Sequence, residues 1–253
     1  MTRTRARGSR RLTLLPAGLL ALMVTAGCGT APGTTDPQGV DELLIPTPSP
    51  DPADFVTGID NPYLPLSPGS SWTYRSTGSE GALTIMMTVT DETRVVAGVS
   101  ATVVRDEVTD ASGTLVEDTY DWYAQDVDGN VWYLGEDTTA YDDDAASTGG
   151  SWEAGVDGAQ AGLAMPARPR VGDGYRTEYR EGVAEDQAEV LAVDGKVELG
   201  NESFDRVVTT ADTTPLEPGL VTRTYYAPGI GVVLAETVAG GDERVVLAAH
   251  RAG

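Results

Sequence analysis

Carboxylates are the chemistry this chain holds in quantity. It has 39 Asp and Glu against 17 Lys and Arg, one histidine and one cysteine, and a formal charge of −22. His250 sits at the C-terminal end, where a Ser-His-Asp triad would have to rely on a strand end that frays. The one cysteine, Cys28, closes an N-terminal apolar run, so the usual His/Cys zinc site has no ligands. No Walker-type phosphate loop and no G-x-G-x-x-G after a strand is present. The expectation is therefore no cofactor, no catalytic residue that can be named, and action by binding.

The acids fall into three patterns. Asp126, Asp128 and Asn130 have the 1-3-5 spacing of a calcium loop. Val131 stands where such a loop bends at Gly, however, Asp137 replaces the bidentate Glu, and the flanks are strand-like, so a hairpin turn is the expected reading. Asp142-Asp143-Asp144 reads as a solvated charge run. Glu153 and Asp157 are a candidate pair for a carboxylate-dependent hydrolase, the least favoured function. The aromatics are more informative. Strand alternation sends Tyr120 and Trp122 to one face and Tyr123 to the other, and Trp132 and Tyr133 also split between faces. Large rings on both faces mean a sheet covered on both sides or one closing round a cavity. Trp122, Trp132, Trp152 and Tyr120 are the candidate lining of such a pocket, with ordinary core packing as the alternative.

The elements that must position these residues are all strands. Thr119 to Gln125 and Val131 to Glu136 flank Asp-Val-Asp-Gly-Asn, the signature of a hairpin. Leu83, Ile85, Met87 and Val89 alternate with Thr84, Met86, Thr88 and Thr90 at period two. The Tyr-Ala step of 123–124 returns at 226–227, and Gly69 to Tyr74, Met87 to Val89 and Val99 to Val104 have counterparts in the same order. The expected fold is all-β and antiparallel: a duplicated β-meander, with repeats at about 68–137 and 171–237, forming a curved sheet, half-barrel or barrel. Between the repeats lies a long Gly- and Ala-rich connection, 138–170, expected to pack on the sheet. A last strand, Glu243 to Ala249, ends a single domain of 55–253.

The N-terminus reads as a targeting segment. Arg3, Arg5, Arg7, Arg10 and Arg11 precede the apolar run Leu12 to Val24, which ends in Thr25-Ala26-Gly27-Cys28. Small residues before the cysteine resemble a bacterial lipobox, which implies cleavage after residue 27 and lipidation of Cys28. Thr25 departs from the usual Leu, and Sec and twin-arginine export are not separable here. Residues 28–54, rich in Pro, Thr and Gly, are the expected disordered tether. Losing the five arginines takes the formal charge from −22 to −27, which argues against nucleic acid as a partner and keeps the body off anionic lipid.

The frame Asp60-Asn61-Pro62-Tyr63-Leu64-Pro65-Leu66-Ser67-Pro68-Gly69, Asp121-Trp122-Tyr123-Ala124-Gln125-Asp126 and Gly150 to Gly158 resembles a group of secreted bacterial proteins and lipoproteins with no known activity. In plan the anchored meander is also similar to half-barrel lipoproteins that carry lipids. The functional expectation is a lipid-anchored protein on the extracytoplasmic face of the cell membrane. It would bind a small apolar or amphipathic ligand or lipid, or else serve as a structural or protein-interaction module of the envelope.

Overall fold

The computed structural model describes residues 50–79, 81–142 and 145–253. The leader, Cys28, most of the tether and Asp143-Asp144 lie outside the described residues. Pro52–Asp54 form a short 3-10 turn capped by Asp51, followed by β1, Phe55–Val56. The long strands then follow in order: β2 Ser71–Gly78, β3 Gly81–Val96, β4 Val99–Asp110, β5 Leu115–Asp126 and β6 Val131–Asp142. The connection after β6 carries strands of its own. It contains β7 Ala145–Ser147, β8 Trp152–Glu153 and β9 Gly162–Met165, and all three pair in turn with the outer edge of β6. A second run comprises β10 Gly174–Arg176, β11 Gln187–Leu199, β12 Glu202–Thr213, β13 Val221–Ala227 and β14 Gly231–Ala239; β15, Arg244–Arg251, ends the chain.

All pairings are antiparallel, in one curved, unclosed sheet ordered β10-β11-β12-β13-β14-β15-β2-β3-β4-β5-β6-β7. Each stretch, 71–142 and 174–239, runs as five consecutive antiparallel strands. The two runs do not pair with each other directly. The last strand, β15, lies between them and pairs with both β14 and β2. His250 is accordingly no fraying end: it pairs with Trp72 and stacks on its indole at 5.1 Å. The two outer ends of the path are three-residue strands, a common way to blunt a sheet edge. The β9 segment, which lies off this path, approaches β10 across the Gln160–Tyr179 bridge, and Gly162 lies so close to the Thr177 carbonyl that no Cβ would fit.

Inside the curve the two runs share a core. Trp72, Tyr74, Val89 and Val104 of the first pack with Tyr226 and Val232 of the second, around Ile59 and Leu66. The Pro-rich segment 59–66 thus acts as a strap across the inner face. Asn61 is buried and donates to the carbonyls of Gly129 (2.9 Å) and Pro166 (3.2 Å), while Gln125 Oε1 accepts from the N–H groups of Asp60 and Asn61. At the far end Gly229 N–H donates to Pro62 O at 2.7 Å. Side chains of this strap therefore occupy the centre, where a ring-lined hollow would have been.

Candidate functional site

The candidate site is a groove of about 250 Å³ beside β6, lined by both faces of the β5–β6 hairpin and by the returning chain of β8. Its geometry follows from one irregularity. Across the hairpin Asp121 pairs with Glu136 and Trp122 with Gly135, but Tyr123 pairs with Tyr133, leaving Leu134 as the extra residue of a bulge. A bulge shifts side chains by one face, so Tyr133 and Glu136 point the same way as Tyr123 and Asp121. Gly135 makes this possible at φ +139°, where a Cβ would sit 2.4 Å from the Trp152 carbonyl. Pairing of Glu136 with Trp152 and Gly135 with Glu153 then brings β8 against the bulge.

Trp122 and Trp152, almost wholly buried, and the exposed Val156 supply the apolar lining of the groove. Arg94, from the end of β3, lies 4.0 Å over the Trp122 ring and pairs with Glu153 at 2.6 Å. Arg180 donates to the Ser151 carbonyl at 2.6 Å and stands 4.0 Å from the exposed Asp157. Ser151 is itself held by the backbone N–H and carbonyl of Thr138.

Behind this rim is a network of acids. The Tyr133 hydroxyl lies 2.5 Å from Asp121 Oδ1 and 3.1 Å from Glu136 Oε2, and its ring stacks on Tyr123 at 4.8 Å. Burial pushes the Asp121 carboxyl up to about 8, with the Glu136 charge adding to it and the Tyr133 hydroxyl opposing. Burial likewise pushes Glu136 up to about 7, against the same hydroxyl and with Glu117 and Asp186 adding. Glu178 is held well above the usual carboxylate range by burial, then by Asp186 and Glu136. Asp186 is raised by burial, partly offset by hydrogen bonds from Thr214 and Glu178. Further along the inner face burial raises Asp106 to about 8, with Asp121 and Glu117 adding. None of the ion pairs among the described residues reaches Asp121, Glu136, Glu178 or Asp186. The Trp152 indole N–H is directed at Glu178 and favours that carboxyl's charged form, at a separation beyond an ordinary hydrogen bond.

Of the four aromatic candidates, the structure brings Trp122 and Trp152 together in the groove. Trp132 lies elsewhere: it packs edge-on against Phe55 and donates to Asp126 at 2.9 Å. Tyr120 is half-buried under Arg105 and pairs with Asp137 at the groove's margin. Asp126 is consumed by its own turn. One carboxylate oxygen accepts from the N–H groups of Asp128 and Asn130, the other from Asn130 Nδ2 and Trp132 Nε1. Among the described residues no group of three His, Cys, Asp or Glu is arranged to hold a metal ion. Glu153 and Asp157 both line the groove, but the first is tied to Arg94 and the second is exposed. The carboxyls that do converge, Asp121 and Glu136, were not singled out from the sequence. The bulge that aligns them has no local signal beyond Gly135.

No protein-family model and no curated protein matches the chain. The resemblance read from the Asp-Asn-Pro-Tyr frame therefore finds no family counterpart. A solved structure of a candidate lipoprotein from Parabacteroides distasonis overlaps 75% of this chain and 98% of its own, at 12% identity and a TM-score of 0.39. That likeness is too distant to carry an argument about function.

Proposed function

We propose that the protein is a lipid-anchored, extracytoplasmic binding protein that takes a small amphipathic ligand in the groove beside β6. The observation that supports this reading is the groove itself: two tryptophans and Val156 line it, and beside them Glu136 is paired with no cation. Sites for drug-sized ligands enclose roughly 300–1,000 Å³. At about 250 Å³ the groove suits a headgroup or fragment, the remainder of a longer ligand lying outside. The anchor rests on the sequence: a basic leader, a short apolar run and Cys28. Among the described residues no helix is long and apolar enough to cross a membrane.

The test is native mass spectrometry of protein purified from its own host, with organic extraction of whatever accompanies it. The expected result is a bound small molecule that is lost in Trp152→Ala. Wild-type protein that is uniformly empty, and that shows no tryptophan fluorescence change with any host extract, would refute the reading. For the anchor, Cys28→Ser is expected to move the protein from the membrane fraction to the soluble one. Persistence in the membrane fraction would count against lipidation.

A further inference from the structure

We infer that residues 177–186, between β10 and β11, are a flap that is shut beside the groove in this structure and opens as a unit to uncover Trp152. The inference rests on the binding reading above for its purpose, since it concerns how that site is entered. Trp122 and Trp152 are 4% and 3% exposed, so the shut groove offers a ligand little of their rings. At about 250 Å³ it is also smaller than most small-molecule sites. Something beside it must move before the rings can be used. Among the described residues that line the groove, Arg180 alone comes from the second run, and this flap carries it.

The flap holds its own shape. Thr177 N–H donates to Asp186 O at 2.9 Å and closes its base, Arg180 and Ala184 exchange main-chain hydrogen bonds, and Gly182 turns the tip at φ +70°. The Arg176 guanidinium, at the end of β10, lies 4.4 Å over the Tyr179 ring and ties the flap to its own run. Gly162 of β9 packs against the Thr177 carbonyl with no room for a Cβ, so the base is pinned while the tip is not. Against the first run the tip is held by little. Gln160 N–H donates to Tyr179 O at 2.8 Å, Arg180 donates to the Ser151 carbonyl at 2.6 Å, and Asp157, the more distant partner of Arg180, is exposed. The Trp152 indole faces Glu178 at a separation beyond an ordinary hydrogen bond. Ala184 is the one buried side chain of the segment. Segments with few buried apolar contacts open at low cost, and lids over binding sites are drawn from them.

The test is hydrogen exchange of the Cys28→Ser chain followed by NMR, with the Gln160 N–H as reporter because its acceptor is on the flap. It is expected to exchange at least about a hundredfold faster than the buried Val190 N–H, which donates to Asp173 O behind the flap. Arg180→Ala should speed Gln160 exchange by about tenfold and leave Val190 unchanged, whereas general destabilisation would speed both. Gln160 exchange as slow as that of Val190 would overturn the inference. So would Gln160 exchange that is unaltered in folded Arg180→Ala. The comparison of the two amides needs no substitution within the domain.

A reversible lock reports on the groove itself. Gln160 and Tyr179 are antiparallel bridge partners, near enough for a disulfide, so Gln160→Cys with Tyr179→Cys in the Cys28→Ser chain should oxidise and hold the flap shut. Acrylamide is expected to quench tryptophan emission less in the oxidised form than in the same protein after reduction. Adding Trp152→Phe should erase that difference, since Trp152 is the ring the flap covers. Equal quenching before and after reduction would overturn the inference. A host-derived ligand that enters the oxidised and reduced forms at equal rates would keep the binding reading and remove the flap as its entrance. Uniformly empty protein removes the binding reading, while exchange and quenching still decide the flap.

Discussion

The acid network makes the stability of this domain fall as pH rises through neutrality. Asp121 is pushed up to about 8 and Glu136 to about 7, both chiefly by burial. Unfolded, each returns to the ordinary carboxylate range near 4. Between those limits the folded state holds protons that the unfolded chain has released. The stabilisation is complete below the unfolded values and is lost as pH climbs through the folded ones. Counting only one such proton for the Asp121–Glu136 pair, stability falls by about 1.4 kcal/mol per pH unit. From about pH 5 to about pH 7 the loss is roughly 3 kcal/mol, which for a domain of this size lowers Tm by roughly 6–12 °C. Asp106, Glu178, Asp186 and Asp212 are also raised and act in the same direction. His250, lowered by burial, acts against them as a single group. The assay is thermal unfolding by circular dichroism from about pH 5 to about pH 8, on the wild type and Asp121→Asn. Asparagine keeps an oxygen for the Tyr133 hydroxyl, so the variant should match the wild type near pH 5, exceed it near pH 8 and show about half the slope. A wild-type Tm that is flat or rises over this range would refute the reasoning.

The other local predictions concern what holds the groove. Gly135→Ala places a Cβ against the Trp152 carbonyl in a backbone conformation suited to glycine, and should cost about 2–3 kcal/mol in urea unfolding with a change in tryptophan emission. Trp122→Ala should cost about 3–5 kcal/mol. Arg94→Ala, which breaks a largely exposed pair, should cost no more than about 1 kcal/mol, so equal losses from the two would contradict the packing described. Asp126→Ala removes four hydrogen bonds from one turn and should cost about 2 kcal/mol or more, while added calcium should leave the wild-type Tm unchanged; a calcium-dependent rise would restore the loop as a metal site.

Much of the architecture was legible because it is written in period-two alternation and turn chemistry. The Thr-rich face opposite Leu83, Ile85, Met87 and Val89 does form one long strand, and Asp126 to Asn130 does form the tight turn expected. The recurring Tyr-Ala step falls on β5 and β13, the fourth strand of each five-strand run. The three short strands after β6 were not legible, since Ala145–Ser147 and Gly162–Met165 hold no β-branched residue and owe their pairing to the exposed edge of β6. The site was only half legible for a related reason. Trp122 and Trp152 declare themselves by type, whereas Glu136 becomes a site residue only through the bulge at Leu134. Glu178 joins it from the second run, at a distance in sequence that no local pattern reports.

The position of β15 sets the last prediction. A meander of five strands exposes an edge at β2 and another at β14, and either edge alone invites pairing with a foreign strand. β15 occupies both at once, with Leu234 to Glu236 on one side and Ser71 to Thr77 on the other. Among the described residues two side-chain hydrogen bonds join these runs near the seam: the Trp72 indole donates to Ile230 O at 2.7 Å, and the Tyr74 hydroxyl to Val232 O at 3.2 Å. Removing 244–253 therefore leaves two runs held by side chains, the 59–66 strap and the distant Gln160–Tyr179 bridge, with both seam edges open. The truncated chain should unfold in two transitions in place of one and should self-associate at concentrations where the full chain is monodisperse, as read by calorimetry and light scattering. A truncated chain that still melts cooperatively, at the full-length Tm and without association, would show that the strap and not β15 unites the sheet.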